Sequence, residues 1–174
     1  MKVHVKRTAG KVFSEYYLKL LSITKNSPLP YNAEFELLPP MCIVSDYAAA
    51  SAGKDRKKMM EDIQKKGLGE AAKVCMNFDP KEFDFRMNLY AEVIRGRRLR
   101  GDWILSDLDF EKQNAIQKVV ILLGDILYNP ECVYDYDNSP VAIYDIFKVN
   151  EFVEKVMLPL ENEFTSLFLE MYEL

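Results

Sequence analysis

Apolar residues recur along this chain at intervals of three and four, the spacing that gathers them on one side of a helix. In residues 11–23, Val12, Phe13, Tyr16, Tyr17, Leu20 and Leu21 form one such face, and the segment stops before Pro28 and Pro30, which enforce extended backbone. Residues 24–40 read as a Pro-rich connection, with 34–38 a candidate for extended chain. Pro40 suits the first turn of a helix that turns Met41, Ile43, Val44, Tyr47 and Ala48 inward and closes at Gly53. Asp55 as N-cap and Gly67 as the residue just past the end bound a further helix over 55–66.

Two helix starts are marked more strongly. In FDPKEF, Asp79 is an N-cap, Pro80 the first helical residue and Glu82 the third, a capping box with Asp in place of Ser or Thr. Phe83, Met87, Tyr90 and Ile94 follow on one face. In LSDLDF, Ser106 caps and Asp109 reaches back; Ile116, Val119, Val120, Leu123, Ile126 and Leu127 then make a broad apolar face that ends at Asn129 and Pro130. From Val149, the positions Phe152, Val153, Val156, Met157, Leu160, Phe164, Leu167, Phe168 and Met171 stay on one face to the end of the chain. Pro159 lies inside that run without breaking its phase, which predicts one long helix kinked near Pro159. Residues 139–147 (SPVAIYDIF) read as a short helix in preference to a strand. The opening MKVHVK is strand-like, but a lone strand has nothing to pair with. The pattern predicts an all-α fold: a single domain over 1–174, an irregular bundle of roughly five to seven helices whose three longest form the core.

Composition narrows the setting. With 174 residues and 49% apolar content, the chain can bury a core without disulfides or metal. Cys42, Cys75 and Cys132 are odd in number and far apart, as expected of reduced thiols in a cytoplasmic protein. No apolar run follows the charged start, so no signal peptide is expected, and the VVILL at 119–123 is far below the ~20 residues of a membrane span. A net charge of −4 hides an asymmetry: residues 1–101 hold 19 Lys/Arg against 12 Asp/Glu, residues 102–174 hold 4 against 15. Two halves of +7 and −11 are expected to pack against one another with complementary fields.

Catalytic chemistry finds little support. His4 is the only histidine and no CxxC is present, so a His-rich metal site lacks its residues and a Cys–His pair would have to use His4. Asp135 and Asp137 open a stretch like a calcium loop, but Pro140 stands where Gly is required and Ile146 where Glu is required. Asp107, Asp109 and Glu111 fail in the same way at Lys112 and Lys118. Glu151 and Glu154 form an ExxE with no ExxD after it, and no phosphate loop or nucleophile elbow occurs. No catalytic residue, metal or cofactor is assigned. The run KDRKKMMEDIQKK is a solvated face on a helix, with Glu61 one turn before Lys65 and Asp62 one turn before Lys66.

Two stretches remain as candidate sites. RGRRLRGDW supplies Arg95, Arg97, Arg98, Arg100 and Trp103. If the helix begun at Asp79 runs to Gly101, the preferred reading, these arginines spread around its end and stabilise the negative pole. If it stops at Gly96, Arg97 onward fall in a loop and can converge on an anion. Trp103 is expected to be a core or interface anchor. The second stretch interleaves Tyr134, Tyr136 and Tyr144 with Asp135, Asp137 and Asp145, an acidic-aromatic surface suited to a basic partner. The expected function is therefore protein–protein interaction of a regulatory, adaptor or inhibitor type, with a protein partner or a second copy of the chain. Binding of nucleic acid or a phosphorylated ligand by the basic half is the alternative, disfavoured by net acidity; no membrane partner is expected.

Overall fold

The computed structural model describes residues 7–26, 32–75, 78–97, 99, 114–138 and 150–174. Among them every regular element is helical and none is a strand. Helix α1 spans Ala9–Thr24; the Thr8 side chain caps it by accepting from the Lys11 amide, and the six apolar residues picked out by periodicity are all buried or nearly so. The single turn α2 (Ala33–Glu36) is capped by Asn32 and leads into α3 (Leu38–Ser51). Residues 34–38 are thus helical rather than extended. Pro39 and Pro40 sit in the first turn of α3, where the missing amides would have had no intrahelical partner, so the helix begins ahead of both. It ends at Gly53, whose φ of +66° is open to glycine; the Gly53 and Lys54 amides donate back to Ala50 and Ala49 in a Schellman closure.

Helix α4 is continuous through three stretches: Arg56–Asp62, the π-helical Ile63–Leu68, and Gly69–Val74. Asp55 caps it as expected, but Gly67 lies inside it and does not end it. The reason is a repeat of four. Met59, Ile63, Gly67, Ala71 and Cys75 are all buried. In a strict α-helix each step of four drifts by about 40°, and the wider π turn takes up that drift. Gly67 is needed there for space, because a Cβ would stand 2.9 Å from the Phe13 ring of α1. Gly10 makes the same crossing close from the other side: its amide donates to Asp62 Oδ2 at 2.7 Å, and a Cβ on it would lie 2.8 Å from the Asp62 carbonyl oxygen.

Helix α5 spans Pro80–Ile94 and α6 spans Ala115–Tyr128, followed by a 3-10 turn at Pro130–Tyr134. Asn114 and Gln117 form a reciprocal capping box at the start of α6. The start marked at Ser106 lies outside the described residues, as do residues 139–147 and 1–6. Helix α7 runs from residue 150 through a π segment, Val153–Met157, into Leu158–Glu173. The helix runs on through Pro159 without a break; ahead of the proline lies the π segment, where the Leu158 amide bonds to the Val153 carbonyl. Phe152, Val156, Leu160 and Phe164 again repeat every fourth residue, and the wide turn keeps them on one face. These four, with Leu167 and Met171, are 0% exposed.

Helix α3 lies against α7 and α5, α1 packs on α7 and on the π segment of α4, and α6 joins α5 to α7. Apolar residues from all of these helices form one continuous cluster, which Ala33 of the α2 turn joins. The basic and acidic halves also touch at the surface, where Arg7 and the Tyr16 hydroxyl both bond Glu170. Among the described residues no helix is long and apolar enough to cross a membrane.

Candidate functional site

The end of α5 decides where the arginines go. Gly96 has φ +109°, its amide donates to Val93 and the Arg97 amide to Glu92 at 2.9 Å, a complete Schellman motif. The helix therefore stops at Gly96 and not at Gly101, because the left-handed residue turns the chain back across the helix end. Arg95 is exposed and pairs with none of the described carboxylates. Arg97 folds back over the helix, donating to the Glu92 carboxylate and, at 3.2 Å, to Asp137 Oδ2. Its guanidinium carbon stands 5.8 Å from the centre of the Tyr136 ring. Burial opposes its charge, but the two carboxylates outweigh it and hold the guanidinium above its ordinary value. Arg98, Arg100 and Trp103 lie outside the described residues.

This contact joins the two stretches that the sequence presents separately. A cleft of about 370 Å3 is lined by Phe85, Asn88, Leu89 and Glu92 of α5, by Arg97, and by Val133, Tyr134, Asp135 and Tyr136. Its aromatic residues take different roles. Tyr134 is 63% exposed and faces Phe85, 44% exposed, with ring centres 6.1 Å apart. Tyr136 is only 2% exposed, an interior anchor and not a surface residue, and its hydroxyl donates to the buried Asp125 at 2.6 Å. Asp135 accepts from the Asn138 side chain at 3.0 Å and so closes the turn that carries Asp137. Tyr144 lies outside the described residues.

Beneath the rim runs a polar relay that periodicity did not reveal. Asp79 performs its half of the expected capping box, accepting from the Lys81 amide at 2.9 Å. Glu82 does not reach back to it. Its carboxylate instead accepts from Arg86 Nη1 and, at 3.3 Å, from the Tyr134 hydroxyl. Arg86 Nε donates to both oxygens of Glu36, the nearer at 2.8 Å, and its guanidinium lies 5.0 Å from the Phe35 ring centre. Burial pushes the Glu36 carboxyl up, against the pull of Arg86. Glu82 and Arg86 are one helical turn apart, whereas Glu36 comes from fifty positions away.

The arrangement is suited to recognition. It offers exposed aromatic faces and carboxylates on a fixed frame. Burial pushes the Cys42 thiol up to about 12, the opposite of nucleophile activation. Among the described residues no three metal-ligating side chains come together. No protein-family model, curated protein or solved structure matches the chain.

Proposed function

We propose that the protein acts without catalysis, as an interaction protein whose α5 cleft receives a basic segment of a protein partner. The exposed Phe85–Tyr134 pair carries this reading: two large rings left in water in a cleft lined also by Glu92 and Asp135, with the Glu82 carboxylate at the Tyr134 hydroxyl. Ring faces and carboxylates together bind an arginine or lysine side chain through cation–π attraction, charge and stem packing. Such a surface fits the regulatory, adaptor or inhibitor role that the sequence suggests. Two carboxylate contacts direct the charge of Arg97 toward its own protein, which favours a basic protein partner over a nucleic acid.

Fluorescence anisotropy with labelled arginine- and lysine-bearing peptides tests the reading. Basic peptides should bind the full chain, their acidic counterparts should not, and a Phe85→Ala/Tyr134→Ala variant should lose at least about tenfold in affinity. Equal binding by that variant would sink the assignment of the cleft. Binding of single- or double-stranded nucleic acid that falls steeply with salt, with no peptide binding, would replace this reading by the alternative.

A further inference from the structure

Arg86 and Arg97 occupy the same chemical setting at different depths. Arg86 donates to the carboxylates of Glu36 and Glu82 and lies 5.0 Å from the Phe35 ring centre. Arg97 donates to those of Glu92 and Asp137 and lies 5.8 Å from the Tyr136 ring centre. Each guanidinium bridges two carboxylates beside an aromatic ring, an arrangement that its planar fork of donors fits and a lysine ammonium does not. The Arg86 side chain is 8% exposed, and its seat is closed. At Arg97 the seat is open: the side chains of Glu92 and Asp137 are 50% and 65% exposed, and Arg97 and Tyr136 both line the α5 cleft. The Arg97 backbone stays fixed, because its amide donates to the Glu92 carbonyl. Only side-chain torsions need change for the guanidinium to leave. Exposed ion pairs resist that little, since they contribute little net stability.

We infer, resting on the reading of the cleft as a receptor for a basic segment, that Arg97 is a built-in occupant of the seat that the partner's basic residue takes, and that this residue is an arginine. The partner's guanidinium replaces that of Arg97 between Glu92 and Asp137, over the Tyr136 ring, while Phe85 and Tyr134 receive the side chains next to it. One guanidinium for another leaves the charge and the hydrogen bonds of the seat unchanged. An occupant carried on the same chain lowers the apparent affinity in proportion to the fraction of molecules whose seat it fills. Arg97 therefore sets the threshold that a basic segment must exceed to bind.

Anisotropy titrations of the full chain with two peptides that differ only in arginine or lysine test both parts. The arginine peptide should bind at least about fivefold more tightly than its lysine counterpart. Arg97→Gln should tighten arginine-peptide binding at least about fivefold, by vacating the seat. Arg95→Gln controls for charge: it removes the same charge two positions away, from an exposed side chain, and should change affinity less than about twofold. In the parent chain, the Arg97 Nε–H resonance, identified by its absence in Arg97→Gln, should move toward that of a solvent-exposed arginine as the peptide saturates. A resonance that stays in place, equal or weaker binding by Arg97→Gln, or an equal gain in Arg95→Gln overturns the inference and leaves the reading of the cleft intact. Equal binding of the two peptides overturns the assignment of an arginine. Binding of neither peptide by parent or Arg97→Gln overturns the reading of the cleft, and the inference with it.

Discussion

Arg86 Nε stands 2.8 Å from Glu36 Oε2 in the interior, and the two residues are 6% and 4% exposed. The pair hooks the short α2 turn onto α5, and through Glu82 it reaches the Tyr134 rim of the cleft. Removing one partner strands the other in a low-dielectric setting. Arg86→Met or Glu36→Leu alone should cost about 3–5 kcal/mol of stability, while the double variant should cost far less. Urea unfolding of the four proteins measures the cycle; additive losses would show that the pair is not coupled.

Tyr16 gives the alkaline limit. Burial, helped by its hydrogen bond to Glu170, pushes its hydroxyl up from 10 to about 12. A raised value means that the folded state holds the proton more tightly. The contribution is fully present below pH 10 and is lost as pH rises toward 12. Unfolding free energy should therefore fall across that window, with a shallower slope in Tyr16→Phe. Tyrosinate absorbance followed alongside circular dichroism checks it, because Tyr17 and Tyr90 are pushed up as well and should ionise only on unfolding.

Ending the chain at Asn162 would remove Phe164, Leu167 and Met171, all 0% exposed, and Phe168, which packs on Tyr47 at 5.4 Å. At ~1.5–3 kcal/mol for each buried side chain, the loss rivals the whole stability of a domain this size. The truncated protein should be insoluble, or compact without fixed packing, with near-ultraviolet dichroism lost and a dye for apolar surface bound. A cooperative melt in the truncated protein would show that the end of α7 is not core.

Two glycines should respond oppositely to alanine. Gly69 has helical backbone and nothing within 4 Å of an added Cβ, so Gly69→Ala should stabilise by about 0.4–1 kcal/mol. At Gly10 the same methyl meets Lys66 Cβ at 2.6 Å and the Asp62 carbonyl oxygen, backbone that cannot swing away. Gly10→Ala should cost about 1–3 kcal/mol. Thermal melts of both variants decide it, and a neutral Gly10→Ala would mean that α1 and α4 can part without penalty.

The helical fold was legible because burial follows period: the faces of α1, α6 and α7 are those that Val12–Leu21, Ile116–Leu127 and Phe152–Met171 mark in the sequence. Helix ends were less so. Gly96 and Gly101 are both chemically fit to terminate α5, and only the carbonyls of Val93 and Glu92, claimed by the Gly96 and Arg97 amides, distinguish them. Gly67 looked like a terminator because a small residue past an amphipathic run usually is one; its use, room for Phe13, is a tertiary fact. The candidate site was legible in its parts, Arg97 and Tyr134 to Asp137, but not in their meeting, since no local rule relates positions forty apart. Glu36 and Phe85 carried no local signal at all.

The π segments also bear on how the chain tolerates changes of length. Each is a place where α4 or α7 holds about one residue more than an α-helix needs between its flanks. Deleting the exposed Gln64 would turn the interval from Ile63 to Gly67 from four into three, an ordinary α-helical spacing, and would leave Met59 and Ala71 on the same side. The same deletion in the all-α first half of α1 would swing every later side chain by about 100°. A deletion of one residue is therefore absorbed at 63–68 and 153–157, and the outline of the molecule can outlast a loss of length that its other helices cannot bear.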